Sequence, residues 1–327
     1  VMTDLAINYQ DIVAAGLRIK GHAVITPLLE SPMLNEQLGG RVLFKAENLQ
    51  RTGSFKFRGA FNKLSKLAQA HQLTGVVAYS SGNHAQGVAA AAAHFDVPAT
   101  IIMPADAPQI KIANTKILGA TVVLYDRHKE NREAIGQQLA LQHNLTLIPP
   151  YNDADIIAGQ GTIGLEAANQ LLALGLTPDQ AIGPIGGGGL ITGSATALKQ
   201  HFPNITVWGA EPEGYDDAAH SIAAGLRLSN KNPPSSICDA IMTPMVGELN
   251  FPIMQHYLAG AKVVQEKHVL AAMLMCMQQL KVVVEPGGCV GLAAILNRSL
   301  AIKDKITLVI LSGGNTDPAM LSLALNQ

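Results

Sequence analysis

Cysteine is scarce in this chain: three in 327 residues, at Cys238, Cys276 and Cys289, with no C-x-x-C pair among them. So sparse and odd a set excludes a disulfide-stapled scaffold and leaves the thiols to packing, in a reduced, cytoplasmic setting. The ten histidines are scattered, without H-E-x-x-H or another close ligand pair, so no zinc site is expected. Charged residues make up only 14% and the net charge is -1, which excludes a basic face for nucleic acid or a membrane surface. No apolar run is long enough to span a bilayer, and no basic-then-apolar N-terminal segment reads as a signal peptide. Fixed-period repeats and low-complexity linkers are also lacking. What is there is a 48% share of hydrophobic residues, enough for a compact globular chain of one or two domains.

Periodicity then orders the chain. Leu5, Ile7, Ile12, Val13 and Leu17 share one stripe and predict a helix over 5–20. Thr26-Pro27 breaks it, and Ser31 starts a short helix. Apolar strands are expected at 42–48, Val76–Tyr79, 99–103, Thr121–Tyr125 and 145–148, with helices at 57–67, 87–94, 110–118 and 131–142 between or before them. The pattern resumes with a helix over 156–174, strands at 182–185 and 205–210, helices at 269–280 and 288–296, and the strand Ile306–Leu311. Such βα alternation predicts an α/β fold with parallel strands and right-handed crossovers, and continuous apolar runs suit strands covered on both faces.

One lysine stands out. Lys56 lies in Arg51-Thr52-Gly53-Ser54-Phe55-Lys56-Phe57-Arg58-Gly59-Ala60, after a strand and at the start of a helix that Thr52 or Ser54 is expected to cap. A solvated lysine is the plain reading, but the positive end of a helix is a poor site for a cation. That dipole and the aromatic neighbours Phe55 and Phe57 would depress its pKa, as Schiff-base chemistry requires.

Further stretches carry polar groups at strand ends. Ser80-Ser81-Gly82-Asn83-His84-Ala85-Gln86-Gly87 falls between a strand and a helix; it reads equally as a capped βα loop and as a ligand loop. Gly186-Gly187-Gly188-Gly189, before a helix from Leu190, suits a phosphate cradle. Neither Gly-Lys-Ser/Thr nor a dinucleotide fingerprint accompanies it. Ser312 sits in Leu311-Ser312-Gly313-Gly314-Asn315, which closes a strand. Glu211 and Asp217 with the Tyr215 carbonyl would suit Mg²⁺, Ca²⁺ or Mn²⁺, although on residues alone this is a solvated acidic loop. On residues alone Arg132 is a surface arginine.

The segment Gly53-Ser54-Phe55-Lys56-Phe57-Arg58-Gly59-Ala60 resembles the lysine motif of the serine/threonine dehydratase and serine racemase family, which are fold type II pyridoxal 5'-phosphate (PLP) enzymes, tryptophan synthase β-like. The serine loop, the glycine run and the Ser312 turn extend the resemblance over roughly 10–320. It implies two doubly wound parallel-sheet domains, 1–69 with 153–327 and an inserted 70–152, with PLP between them. Lys56 would bind PLP, Phe55 and Leu190 would border it, Gly186 to Gly189 would take its phosphate, Asn83 would lie beside its phenolic oxygen, and Ser312 would bond its pyridine nitrogen. A hydroxyl there leaves the ring a weaker electron sink, which suits prompt β-elimination. Ser80, Ser81, Asn83 and His84 would hold the substrate. Ser81 stands where serine racemases have the serine opposite the lysine and many threonine dehydratases have alanine. Glu285 would lie near the cofactor, although Glu285-Pro286-Gly287-Gly288 departs from the family in its paired glycines. Glu211, Tyr215 and Asp217 match a racemase metal site, and Arg132 matches an arginine that reaches a distal carboxylate.

The activity implied is α,β-elimination from L-serine, L-threonine or 3-hydroxyaspartate to a 2-oxoacid and ammonia, by a homodimer with a nucleotide at its interface near Arg51 and Thr52. Alternatives are a serine or aspartate racemase with elimination as a side activity, β-replacement as in cysteine synthases, and a non-catalytic binding protein. With the chain ending soon after Asp317, the regulatory domain of some biosynthetic threonine dehydratases is not expected.

Overall fold

A computed structural model describes residues 5–80, 82–107, 109–126, 129–231 and 233–326. Ser81 lies outside them. The first helix, α1 (Tyr9–Ile19), starts later than its apolar stripe because Asn8 caps it: the Asn8 side chain accepts the N–H groups of Gln10 and Asp11, and Asp11 bonds back to the Asn8 N–H. After the short strand β1 (Leu28–Leu29), Ser31 caps α2 (Pro32–Leu38), with Pro32 at its first turn and Gly39 at φ 74° ending it. Strand β2 (Arg41–Ala46) leads through two 3-10 turns into α3 (Lys56–Gln69).

The next 70 residues or so form a four-stranded parallel sheet. Its elements are β3 (Val76–Tyr79), α4 (Asn83–His94), β4 (Ala99–Pro104), α5 (Gln109–Ile117), β5 (Thr121–Tyr125), α6 (Arg132–His143) and β6 (Thr146–Leu147), with strand order β5-β4-β3-β6. The chain then returns through α7 (Ala154–Ala173), β7 (Gln180–Pro184), α8 (Gly189–His201), β8 (Thr206–Pro212), α9 (Asp217–Ala224), α10 (Asn250–Tyr257), β9 (Leu258–Val264), α11 (Glu266–Met275), α12 (Val290–Leu296), β10 (Ile306–Leu311) and α13 (Pro318–Leu325). These complete a six-stranded sheet of order β1-β2-β10-β7-β8-β9, parallel except for β1.

Both sheets are covered on two faces, and side-chain alternation assigns the faces. Val42, Phe44, Val309 and Leu311 enter the core under α11 and α12, while Leu43, Leu308 and Ile310 enter the one under α7 and α8. In the smaller sheet Val76 and Ala78 meet α3 and α4, and Val77 and Ile102 meet α6. Helices α3, α7 and α8 touch backbone to backbone. A Cβ on Gly159 would come 2.6 Å from the Gly59 Cα, and one on Gly193 would come 2.8 Å from the Gly161 Cα.

A buried ion network anchors α3. Arg58 is wholly shielded from solvent and donates to Glu47 at 2.7 and 2.8 Å and to Glu166 at 2.7 and 2.8 Å. Lys45 joins it, donating to Glu166 at 2.9 Å and to the Thr26 carbonyl at 2.7 Å. Deleting one member of such a pair strands the opposite charge. Arg58→Met is therefore expected to lower unfolding stability by about 3–5 kcal/mol, measured by urea denaturation.

Candidate active site

The carboxyl ends of the parallel strands converge on one cavity of about 430 Å³. Its wall includes Phe55, Lys56, Ser80, Asn83, His84, Arg132, Gly186 to Gly189, Leu190, Glu285 and Ser312, so most residues singled out in the sequence do meet here. The expected metal ligands Glu211, Tyr215 and Asp217 are not on that wall.

Lys56 is the first residue of α3, but the expected hydroxyl caps are not used. Phe55 holds the N-cap position, and the Thr52 and Ser54 hydroxyls are buried without partners. The reason is that Ser54 is extended and forms a β-bridge with Gly313, while the Phe55 N–H donates to the Ser312 carbonyl at 3.1 Å. The lysine segment is thus fastened to the end of β10. The Lys56 ammonium lies 5.1 Å from the Phe55 ring centre and donates to the Pro150 carbonyl at 2.7 Å. Phe57 does not flank it; that ring packs on Phe61. Burial lowers the Lys56 pKa to about 8, opposed by the Glu285 carboxylate.

Asn83 opens α4 and is fixed from both sides. Its amide donates to Glu285 Oε1 at 2.6 Å and accepts from Asn315 Nδ2 at 2.8 Å. Burial raises the Glu285 pKa to about 8, with Asp239 adding to the rise and the Asn83 bond opposing it. His84 bonds the Ile148 carbonyl through Nε2 at 2.8 Å, which places a proton on that nitrogen. Burial, then the nearby Lys56 charge, push its pKa down to about 3, so the ring is neutral. The Ser80 hydroxyl accepts the Gly82 N–H at 3.1 Å. Across the mouth, Lys111 of α5 pairs with Asp239 at 2.7 Å.

The glycine turn fits closely between neighbours. A Cβ on Gly187 would enter the Tyr151 ring, and Gly188 has φ 103° with Asn250 and Met254 against it. Gly188 is the N-cap of α8, and no side chain caps that helix. Of the paired glycines at 287 and 288 the second acquires a reason: a Cβ on Gly288 would come 2.6 Å from the Gly313 carbonyl oxygen, so the Glu285 turn packs directly on the Ser312 turn.

Behind the cavity, Asp217 accepts the N–H of Val246, itself a wall residue, at 2.8 Å and Asn230 Nδ2 at 2.8 Å. Glu211 accepts the Ala218 and Ala219 N–H groups at 3.2 and 2.9 Å. Burial raises the Asp217 pKa to about 6 and drives Glu211 well above its ordinary range, where the Asp217 charge adds to the effect. Among the described residues no group of three or more His, Cys, Asp or Glu side chains could hold a metal ion.

Sequence reasoning missed Tyr79, Pro150, Tyr151, Asn250 and Asn315. Asn315 stands at the end of the Ser312 turn, where its amide was a readable signal; Pro150 acts through its backbone, which no residue type announces.

The family description "Pyridoxal-phosphate dependent enzyme" matches residues 19–313, and the chain belongs to that family. It is 44% identical over 310 residues to an L-threo-3-hydroxyaspartate ammonia-lyase of Pseudomonas sp, covering 95% of this chain and 96% of that one. It is 39% identical to a serine racemase of Schizosaccharomyces pombe, covering 95% and 94%. The solved structure of a threonine deaminase from T.th. superimposes with a TM-score of 0.90 at 42% identity, covering 95% of this chain and 99% of that one.

The titration of Lys56 has a direct consequence. Only the neutral amine attacks a carbonyl, and its fraction grows as pH rises toward the pKa. The rate at which the apoprotein takes up PLP covalently, followed by absorbance, should climb up to about pH 8 and level off above it. An amine of ordinary pKa would still be climbing near about pH 10.

Proposed function

We propose that the chain is a PLP-dependent ammonia-lyase whose preferred substrate is L-threo-3-hydroxyaspartate, with L-serine and L-threonine as poorer ones. The observation that carries this is the pairing, in one cavity, of the low-pKa amine of Lys56 with the Arg132 guanidinium, to which no described carboxylate is paired. The similarity to the Pseudomonas enzyme supports it.

The residues present fit PLP. The glycine turn at the uncapped start of α8 is suited to a phosphate, Lys56 to the aldehyde, and Asn83 and the Ser312 hydroxyl to the ring's polar edges, with Phe55, Leu190 and Glu285 beside it. When bound, PLP supplies the electron sink for the α-carbon. Lys56 accepts the α-proton as base once its amine is free, and the Pro150 carbonyl holds that amine in place. Ser80, Asn83 and neutral His84 receive the α-carboxylate at the start of α4, and by the resemblance Ser81, outside the described residues, shares that role. Departure of the β-hydroxyl with a proton is loss of water, and the enamine released takes up water to give a 2-oxoacid and ammonia.

Lys56→Ala should abolish 2-oxoacid release from every substrate, and wild-type kcat/KM, from ammonia release, should be highest on L-threo-3-hydroxyaspartate. Equal or better turnover of L-serine would overturn the substrate preference. Ser81 supports a second reading, racemisation, in which its hydroxyl delivers a proton from the face opposite Lys56. Ser81→Ala should then spare elimination from the L-isomer while D-serine formation, measured by chiral chromatography, stops.

Glu211, Asp217 and the Tyr215 carbonyl would hold a divalent cation such as Mg²⁺; two buried carboxylates, both raised by burial and Glu211 further by the Asp217 charge, are a donor set that a cation relieves. Added Mg²⁺ should raise Tm by several degrees, and Asp217→Asn should remove the increment. The enzyme acts as a homodimer in a reducing, cytoplasmic setting, consistent with Cys238, Cys276 and Cys289 being free and buried. No helix among the described residues is long and apolar enough to cross a membrane.

A further inference from the structure

Arg132 is held in an unfavourable place by an aromatic ring. As the first residue of α6 it meets the positive end of a helix, which disfavours a cation. Its guanidinium carbon lies 5.2 Å from the centre of the Tyr79 ring, a distance at which the ring face attracts it. Tyr79 ends β3 and is itself wedged. It packs in the cluster of Val77, Ile102, Ile135 and Leu139, and a Cβ on Gly136 would already touch its Cδ1 at 3.4 Å. The platform under the guanidinium cannot turn away without disturbing α6.

Tyr151 lies close enough for the Arg132 charge to reach its phenol. Its ring covers Gly187, and its Cδ2 would be 3.1 Å from a Cβ on Gly247, so the ring is fixed against the glycine turn. Both tyrosines and Arg132 line the same cavity. Burial raises the pKa of each phenol, so both keep their protons at neutral pH and remain O–H donors. Glu133, the next residue of α6, lines the same wall, and its charge adds to the rise at both phenols while that of Arg132 opposes it.

We infer that Tyr79, Arg132 and Tyr151 form the subsite for the distal carboxylate of the substrate, with Tyr79 as a positioning residue that aims the guanidinium and Tyr151 as a second hydrogen-bond donor. A guanidinium stacked on one phenol ring and sharing a cavity with a second, with no described carboxylate paired to it, is suited to a charged oxygen ligand. The assignment rests on the proposed use of a dicarboxylic substrate, and it names residues that the resemblance to dehydratases did not supply.

The test uses the holoenzyme and four variants: Arg132→Leu, Tyr79→Leu, Tyr79→Phe and Tyr151→Phe. Two quantities are read: the ratio of kcat/KM for L-threo-3-hydroxyaspartate over L-serine, and the calorimetric affinity for succinate, a dicarboxylate without an amine. Arg132→Leu, Tyr79→Leu and Tyr151→Phe should each lower the ratio about tenfold or more, chiefly through KM for hydroxyaspartate, and weaken succinate in step. Tyr79→Phe keeps the ring and should restore most of what Tyr79→Leu loses. A loss shared equally by both substrates, or a ratio unmoved in Tyr79→Leu and Tyr151→Phe while Arg132→Leu lowers it, overturns the subsite and leaves the dicarboxylate reading standing. A ratio unmoved by Arg132→Leu itself removes both.

Discussion

A guanidinium with no access to water sets the geometry on which the cavity depends. Arg58 must satisfy its charge inside the protein, and its partners come from distant parts of the chain: Glu47 just after β2 and Glu166 in α7. Because neither carboxylate can be left unpaired without a large cost, the three segments have one workable arrangement. Lys56 lies two residues before Arg58, so the same constraint locates the amine at the cavity floor. The Ser54 bridge to Gly313 and the Phe55 bond to Ser312 then fasten the lysine segment to the central strand. The usual device for starting a helix, a side-chain cap, is absent because tertiary bonds already fix where the helix begins.

The site's electrostatics follow from burial more than from charge pairing. Lys56 and Glu285 are displaced from their ordinary values in opposite directions and come to rest near about 8. Each stabilises the charged form of the other, but desolvation dominates for both. His84 is pushed the other way from a useful acid: neutral and bonded to a carbonyl, it is a fixed dipole and not a proton carrier at physiological pH. The groups in this set with a proton to exchange near neutrality on the cavity wall are the lysine amine and the Glu285 carboxyl, and the second is tied to Asn83.

Much of this was legible in the sequence where local pattern and tertiary structure agree. The alternation from Val76 to Leu147 pointed to the smaller sheet because each strand is a short apolar run between helices, and the glycines at 186–189 could be read because four together are hard to explain as simple flexibility. The strand β9 escaped because Gly260 and Lys262 interrupt its apolar run, as suits an edge strand with one partner. Helix α10 carries Pro252 in its first turn, which masks its period. Tyr79 and Tyr151 were invisible for another reason. Tyr79 ends a strand just outside the serine loop and Tyr151 follows one with no motif around it, and only the meeting of the two sheets shows that their side chains share a space with Arg132.

The backbone contacts among α3, α7 and α8 limit how this molecule can move. Where Gly59 meets Gly159 and Gly161 meets Gly193, there is no layer of side chains to act as a sliding surface, and shear between packed helices depends on such a layer. These three helices therefore behave as one block, which joins the smaller sheet through two chain connections, near residues 70–75 and 148–153. The second of these connections contains the Pro150 carbonyl that holds Lys56 and the Tyr151 ring that covers the glycine turn. A shift of that connection would displace the partner of the amine and the cover of the glycine turn together.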